Sequence, residues 1–140
     1  LADPQGSGFY NRVNYGVMYD YVEKEGTRRR HQVDTIVEGI GLNRITHNFH
    51  MGEKFIDESI RVNDNQAIRM AKYLSVNDGL FVGSSTAINA VAAIQVAKTL
   101  PHGSNIVIIA CDSGSRHLSK FWKEAKEIDH DVSLEEVINI

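Results

Sequence analysis

At 140 residues, with 42% hydrophobic and 24% charged side chains, the chain fits one globular domain. A formal net charge of -3 gives no electrostatic case for nucleic acid, and the single cysteine, Cys111, excludes an intrachain disulfide and fits a reducing compartment. No apolar run approaches the roughly 18–20 residues that span a bilayer, and the polar, glycine-rich N-terminus carries no signal-peptide pattern.

The chain opens on Leu1 and passes at once into Asp3-Pro4-Gln5-Gly6, which reads as a strand end and a turn. The expectation is a piece of something longer. Residues 1–12 hold glycines, a proline and two aromatics and read as loop. From Val13 to Glu25, Val13, Val17 and Tyr21 recur at helix-like spacing, with Tyr10 and Met18 beside them, although Gly16 weakens the pattern. Gly26 to His31 is a basic turn. Its three arginines read as a solvated loop, because no basic stripe accompanies them.

Val33 to Val37 reads as a short strand or an extended approach to a site, running into Glu38-Gly39-Ile40-Gly41. Two glycines around one residue let a backbone approach a ligand or take positive φ. This is not the dinucleotide fingerprint, since no third glycine opens a helix. His47 and His50 have chelating spacing on a helix, but no carboxylate–histidine pattern completes a metal site. Glu58 to Val62 predicts a strand. Asn63 or Asp64 then caps a helix whose buried face is Ala67, Met70, Ala71 and Leu74, and Asn77-Asp78-Gly79 ends it.

Leu80-Phe81-Val82 fits a buried strand, and Gly83-Ser84-Ser85 turns the chain into an apolar helix. Ala87, Ala90, Val91, Ile94 and Ala97 share one face, and Ile88, Ala92 and Val96 broaden it, so most sides are expected to be buried. Ser84 or Ser85 can cap the first turn. A strand, a glycine turn and a helix start presenting hydroxyls also suit a polar ligand. After the turn at Pro101 to Ser104, Asn105 to Ala110 is a β-branched run typical of a strand covered on both faces, ending in Cys111-Asp112-Ser113-Gly114. A helical crossover between the two strands predicts that they are parallel neighbours, with Ser85 and Asp112-Ser113 at one pocket. Arg116 to Ala125 predicts a helix with Leu118, Phe121, Trp122 and Ala125 inward. Ser133-Leu134-Glu135-Glu136 reads as a capping box.

Glu38-Gly39-Ile40-Gly41, then Asn65-Gln66-Ala67-Ile68 through Gly79-Leu80-Phe81-Val82-Gly83-Ser84-Ser85, then Ile106 through Ser113, stand in the order and spacing of the cysteine synthase and cystathionine β-synthase family, which they resemble from about Val33 to Trp122. Asp3-Pro4-Gln5-Gly6-Ser7 is similar to a strand end of that family. The resemblance implies an α/β fold: the C-terminal part of the large domain of a fold type II pyridoxal-phosphate enzyme, with a mostly parallel sheet flanked by helices. Residues 1–140 would form that segment, with 13–31 a candidate insertion.

The cofactor implied is pyridoxal 5′-phosphate. Ser85 matches the serine that bonds the pyridine nitrogen of the coenzyme. Gly39 and Gly41 match glycines that bring backbone close to coenzyme and substrate, and Asp112 and Ser113 match the loop beside the pyridine edge. The implied chemistry is β-replacement or β-elimination: an activated serine plus sulfide gives cysteine, or cysteine loses sulfide.

The family's coenzyme lysine, its substrate-carboxylate loop and its phosphate loop have no match here, so no catalytic residue is assigned in this segment and these 140 residues alone are expected to be inactive. Leu42 stands where cystathionine-forming relatives tend to have tyrosine, and Cys111 where proline is usual. Implied partners are a missing N-terminal part of the same enzyme, a small amino-acid substrate and a second copy in a homodimer. The implied location is intracellular, cytoplasmic or mitochondrial. The competing readings are an α/β module binding phosphate at the Ser84-Ser85 helix start, and a structural remnant.

Overall fold

The computed structural model describes residues 1–19 and 35–139. Strand β1 (Ala2–Pro4) pairs in parallel with β2 (Ile60–Val62), with Ala2 opposite Ile60, Asp3 opposite Arg61 and Pro4 opposite Val62. The helices are α1 (Phe9–Tyr15), α2 (His47–Gly52), α3 (Asp64–Asn77), α4 (Ser84–Ala97), α5 (Phe121–Glu127) and α6 (Leu134–Ile138). α3 is the hub: it packs on α4, α5 and α6, while α4 also lies against the strand pair. Among the described residues no helix is long and apolar enough to cross a membrane.

The two long helices follow their sequence signals. Asn63 caps α3: its side chain accepts from the Gln66 amide at 2.9 Å, and the Gln66 side chain accepts from the Asn63 amide at 3.1 Å. This reciprocal box satisfies two amides that a helix start leaves unpaired. Ala67, Met70 and Ala71 are buried, with Gln66 and Ile68 beside them, while Leu74 is half-buried. α4 buries nearly every residue from Ser84 to Ala92. Its last turn emerges, so Ala97 is exposed rather than inward as expected.

Further expectations need correction. The N-terminal loop contains β1 and α1, and α1 begins at Phe9 and stops at Gly16. Gly16 takes φ 76°, a left-handed cap that ends the helix where a pattern through Val13, Val17 and Tyr21 would continue it. Tyr21, the basic turn Gly26–His31 and most of the candidate insertion lie outside the described residues, as do Val33 and Asp34; residues 35–37 form no strand, and Ile36 and Val37 are buried.

Neither of the two later runs forms a strand. Val82 makes one antiparallel bridge with Ser113, so the neighbours are close as expected but not parallel. Leu80 and Phe81 are exposed, and residues 105–110 form no ladder, Val107 being 89% and Ile109 69% exposed. The apolar pattern is that of a covered strand, but among the described residues no strand lies beside it. It is held instead by α4: Thr86 Oγ1 accepts from the Cys111 amide at 2.9 Å, and Asn89 donates to the Ile109 carbonyl at 3.0 Å. Finally, the single helix expected from Arg116 is split. A 3₁₀ turn (Gly114–His117) precedes α5, and the break at Lys120 leaves Leu118 exposed while Phe121, Trp122 and Ala125 are buried.

The C-terminal cap is half of a capping box. Ser133 Oγ accepts from the Glu136 amide at 3.1 Å, but the Glu136 carboxylate turns away to Arg69 on α3 and to His130 Nε2 at 3.0 Å. Glu136, and next Asp129, hold the His130 imidazole above its usual 6.5, while His130 holds the Glu136 carboxyl below its usual 4.5. The histidine contribution is complete below about pH 6.5 and fades as pH rises through the raised value. The glutamate contribution is complete above about 4.5 and fades as pH falls through the lowered one. Docking of α6 is therefore expected to be tightest between about pH 4.5 and 6.5. An NMR titration of the His130 ring checks this: it should titrate above the usual histidine value, and Glu136→Gln should lower it towards that value, with Asp129 still holding it up.

Candidate functional site

The loop from residue 35 to 42 is strapped down at three points. At its start, Asp64 accepts from the Thr35 hydroxyl and, at 3.0 Å, from the Ile36 amide. At its end, the Leu42 amide donates to Ser7 Oγ at 3.0 Å, and the Gly8 amide donates to the Leu42 carbonyl at 3.0 Å. In the middle stands Glu38. Its amide donates to Ser84 Oγ at 3.2 Å, and its carbonyl accepts from Ser85 Oγ at 3.0 Å. The two serines therefore do not cap α4, contrary to one expectation. Gly83 is the N-cap, and no side chain caps there. The hydroxyls instead fix the backbone just before Gly39.

Gly39 and Gly41 take φ values of 87° and 88°, the left-handed region in which an L side chain is strained. Among the described residues, a Cβ built on Gly39 would meet only Ser85 Oγ within 4 Å, at 3.9 Å. The bare face of Gly39 thus looks at the Ser85 hydroxyl, and Ser85 is itself buried.

Asp112 arrives from the other side. The Gly83 amide donates to its carbonyl at 3.0 Å, and its carboxylate presses on the Gly83 Cα, where an added Cβ would stand 1.9 Å from Oδ1. A carboxylate therefore already faces the start of α4, which disfavours a phosphate there. Asp112 Oδ2 pairs with His117 Nε2 at 2.7 Å, while Oδ1 is buried without a hydrogen-bond partner. Ser113 is exposed, and its hydroxyl accepts from the Ser115 amide at 3.3 Å, which caps the 3₁₀ turn.

Of the expected residues, Gly39, Ser85 and Asp112 gather at the start of α4. Gly41 is held by the Ser7 latch one residue on, and Ser113 bridges back to Val82. Sequence reasoning missed Ser7, Asp64, Ser84, Glu38 and His117 as the parts that hold these loops. Their partners are distant in sequence, and no periodicity marks them. His47 and His50 lie exposed on α2, and among the described residues no cluster of three or more metal-ligating side chains occurs.

The chain is 63% identical to cysteine synthase 2 of Neurospora crassa over 123 residues, 88% of this chain and 27% of that protein. It is 57% identical to cysteine synthase 2 of Emericella nidulans over 141 residues, 99% of this chain and 33% of that protein. Among solved structures it resembles the O-acetylserine dependent cystathionine β-synthase of Helicobacter pylori, with a TM-score of 0.61 and 30% identity over 84% of this chain and 32% of the other. The chain spans about a third of the length of these relatives, or less. The family model for pyridoxal-phosphate dependent enzymes matches residues 11–112, which is most of the sequence, and the chain belongs to that family.

Proposed function

We propose that this chain is the C-terminal part of the large domain of a β-replacement enzyme that makes cysteine from an activated serine and sulfide, or releases sulfide from cysteine. The observation that carries the reading is the buried Ser85 hydroxyl beside the bare face of Gly39. Similarity to proteins named cysteine synthase 2 supports the substrate class. The residues fit pyridoxal phosphate: Ser85 offers a neutral hydroxyl, Gly39 leaves the space a Cβ would fill, and Asp112 Oδ1 is buried without a partner. Bound pyridoxal phosphate supplies the electron sink through which a substituent leaves the substrate's β carbon.

What this chain does is hold and orient. Ser85 lies at the start of α4, on a helix buried on most sides, so its oxygen has little freedom. A hydroxyl has one proton to donate and two lone pairs to accept with. In this state Ser85 donates to Glu38, and handing that proton to a pyridine nitrogen would release the Glu38 carbonyl. A neutral hydroxyl does not fix a proton on the pyridine nitrogen as a carboxylate would, which keeps the sink moderate and suits chemistry at the β carbon. Gly41 and the Ser7 latch set the backbone that borders substrate.

The exposed row Ile106–Ile109, with Leu80 and Phe81, is the surface that a strand layer from the N-terminal part of the same enzyme would cover. A homodimer in the cytoplasm or mitochondrion completes the proposal. Ser85→Ala in the intact protein is expected to weaken coenzyme binding about tenfold, the weight of one hydrogen bond to a strongly polar partner. Titrating the coenzyme-free protein with pyridoxal phosphate and following its visible absorption measures this. Unchanged affinity in the variant would remove Ser85 from the coenzyme site.

A further inference from the structure

We propose that His117 is a positioning residue that ties the loop bearing Gly39 and Gly41 to the loop bearing Asp112. The inference rests on the coenzyme reading above and adds a component to that site. His117 is 6% exposed, and its ring is wedged between two carboxylates from different loops. Nε2 pairs with Asp112 Oδ2 at 2.7 Å, and Nδ1 stands 3.6 Å from Glu38 Oε2. Nδ1 is buried and has no hydrogen-bond partner, so the Glu38 side, unlike the Asp112 side, is a close approach without a hydrogen bond.

The placement matters because of what Glu38 and Asp112 each carry. The backbone of Glu38 takes both serine hydroxyls of α4 and leads directly into Gly39. The carboxylate of Asp112 lies across Gly83, the residue that starts α4, with its second oxygen unpartnered. One rigid ring therefore spans the two loops that flank Ser85. His117 itself is set by the 3₁₀ turn (Gly114–His117) and by the edge of Phe121, 6.5 Å away between ring centres. Gly83 leaves the room: a Cβ there would also stand 2.9 Å from His117 Nε2.

Two variants of the intact protein separate positioning from space-filling. His117→Gln puts an amide nitrogen near the place of Nε2 and nothing at Nδ1, while His117→Phe fills the space and pairs with neither carboxylate. Amide exchange at Glu38 in the coenzyme-free protein is expected to speed up in both variants, because both lose the Nδ1 contact. Affinity for pyridoxal phosphate is expected to stay close to that of the unmodified protein in the Gln variant and to fall about tenfold in the Phe variant, since only Gln still holds Asp112. Unchanged Glu38 exchange in both variants would overturn the tie between the loops, and an affinity in the Phe variant equal to that of the unmodified protein would reduce the ring to a space-filler. Failure of the unmodified protein to take up pyridoxal phosphate would sink the coenzyme reading, and the Glu38 exchange rates would then decide the tie on their own.

Discussion

Gly83→Ala is expected to destabilise the protein by about 1–3 kcal/mol, the usual cost of overpacking a filled site, and to abolish most of its coenzyme binding. The new Cβ would lie 1.9 Å from Asp112 Oδ1 and 2.7 Å from its Cγ. A carboxylate at the free end of a side chain could swing aside, but this one is held twice. His117 pairs with its other oxygen at 2.7 Å, and the Asp112 carbonyl accepts from the Gly83 amide at 3.0 Å. Either the His117 pair breaks, leaving a buried imidazole without its partner, or the backbone of residues 82–83 shifts and takes Ser84 and Ser85 with it. Urea unfolding and coenzyme titration of the intact protein measure both effects. An alanine variant with the unfolding midpoint and coenzyme affinity of the unmodified protein would show that Asp112 is not held as described.

Trp122→Ala is expected to cost more, about 3–5 kcal/mol, as large-to-small changes of aromatic core residues do. Trp122 is 4% exposed, packs on Phe81 with ring centres 4.5 Å apart, and meets Phe121 edge-on at 6.3 Å. Its indole Nε1 donates to the Val82 carbonyl at 3.0 Å in a buried bond. Truncation leaves a cavity and an unpaired buried carbonyl one residue before Gly83, so the loss of stability reaches the site. Trp122→Phe keeps an aromatic ring but loses the N–H and part of the indole's volume, and should fall between the two. Equal stability of the Phe variant and the unmodified protein would mean that the Val82 bond contributes nothing.

The parts of the fold legible in the sequence are those whose signal is local. Asn63 and Gln66 three residues apart announce the start of α3, and the dense alanine and isoleucine spacing from Ala87 announces the burial of α4. The strands were less legible. Residues 105–110 have the β-branched pattern of a covered strand, yet a strand needs a neighbour, and Val107 and Ile109 remain exposed without one. In the site, the left-handed geometry of Gly39 and Gly41 was readable because glycine is the residue that adopts it readily. The approach of Asp112 to the start of α4 followed from the crossover, although the contact proved antiparallel. Of the two readings of Ser84 and Ser85, a cap or a ligand site, the cap fails, because a serine before a helix carries the same signal whether its partner is its own third amide or a loop 46 residues away. His117 carried no signal at all: one histidine in a polar turn becomes meaningful only when Glu38 and Asp112 are seen on either side of it.

Whether the start of α4 faces the pyridine edge of the coenzyme is decided by a crystal structure of the intact protein with pyridoxal phosphate bound. The pyridine nitrogen is expected about 3 Å from Ser85 Oγ, within hydrogen-bond distance, with Gly39 against the ring and Asp112 beside it. A coenzyme bound elsewhere, or one whose pyridine nitrogen meets a group other than Ser85, would contradict it.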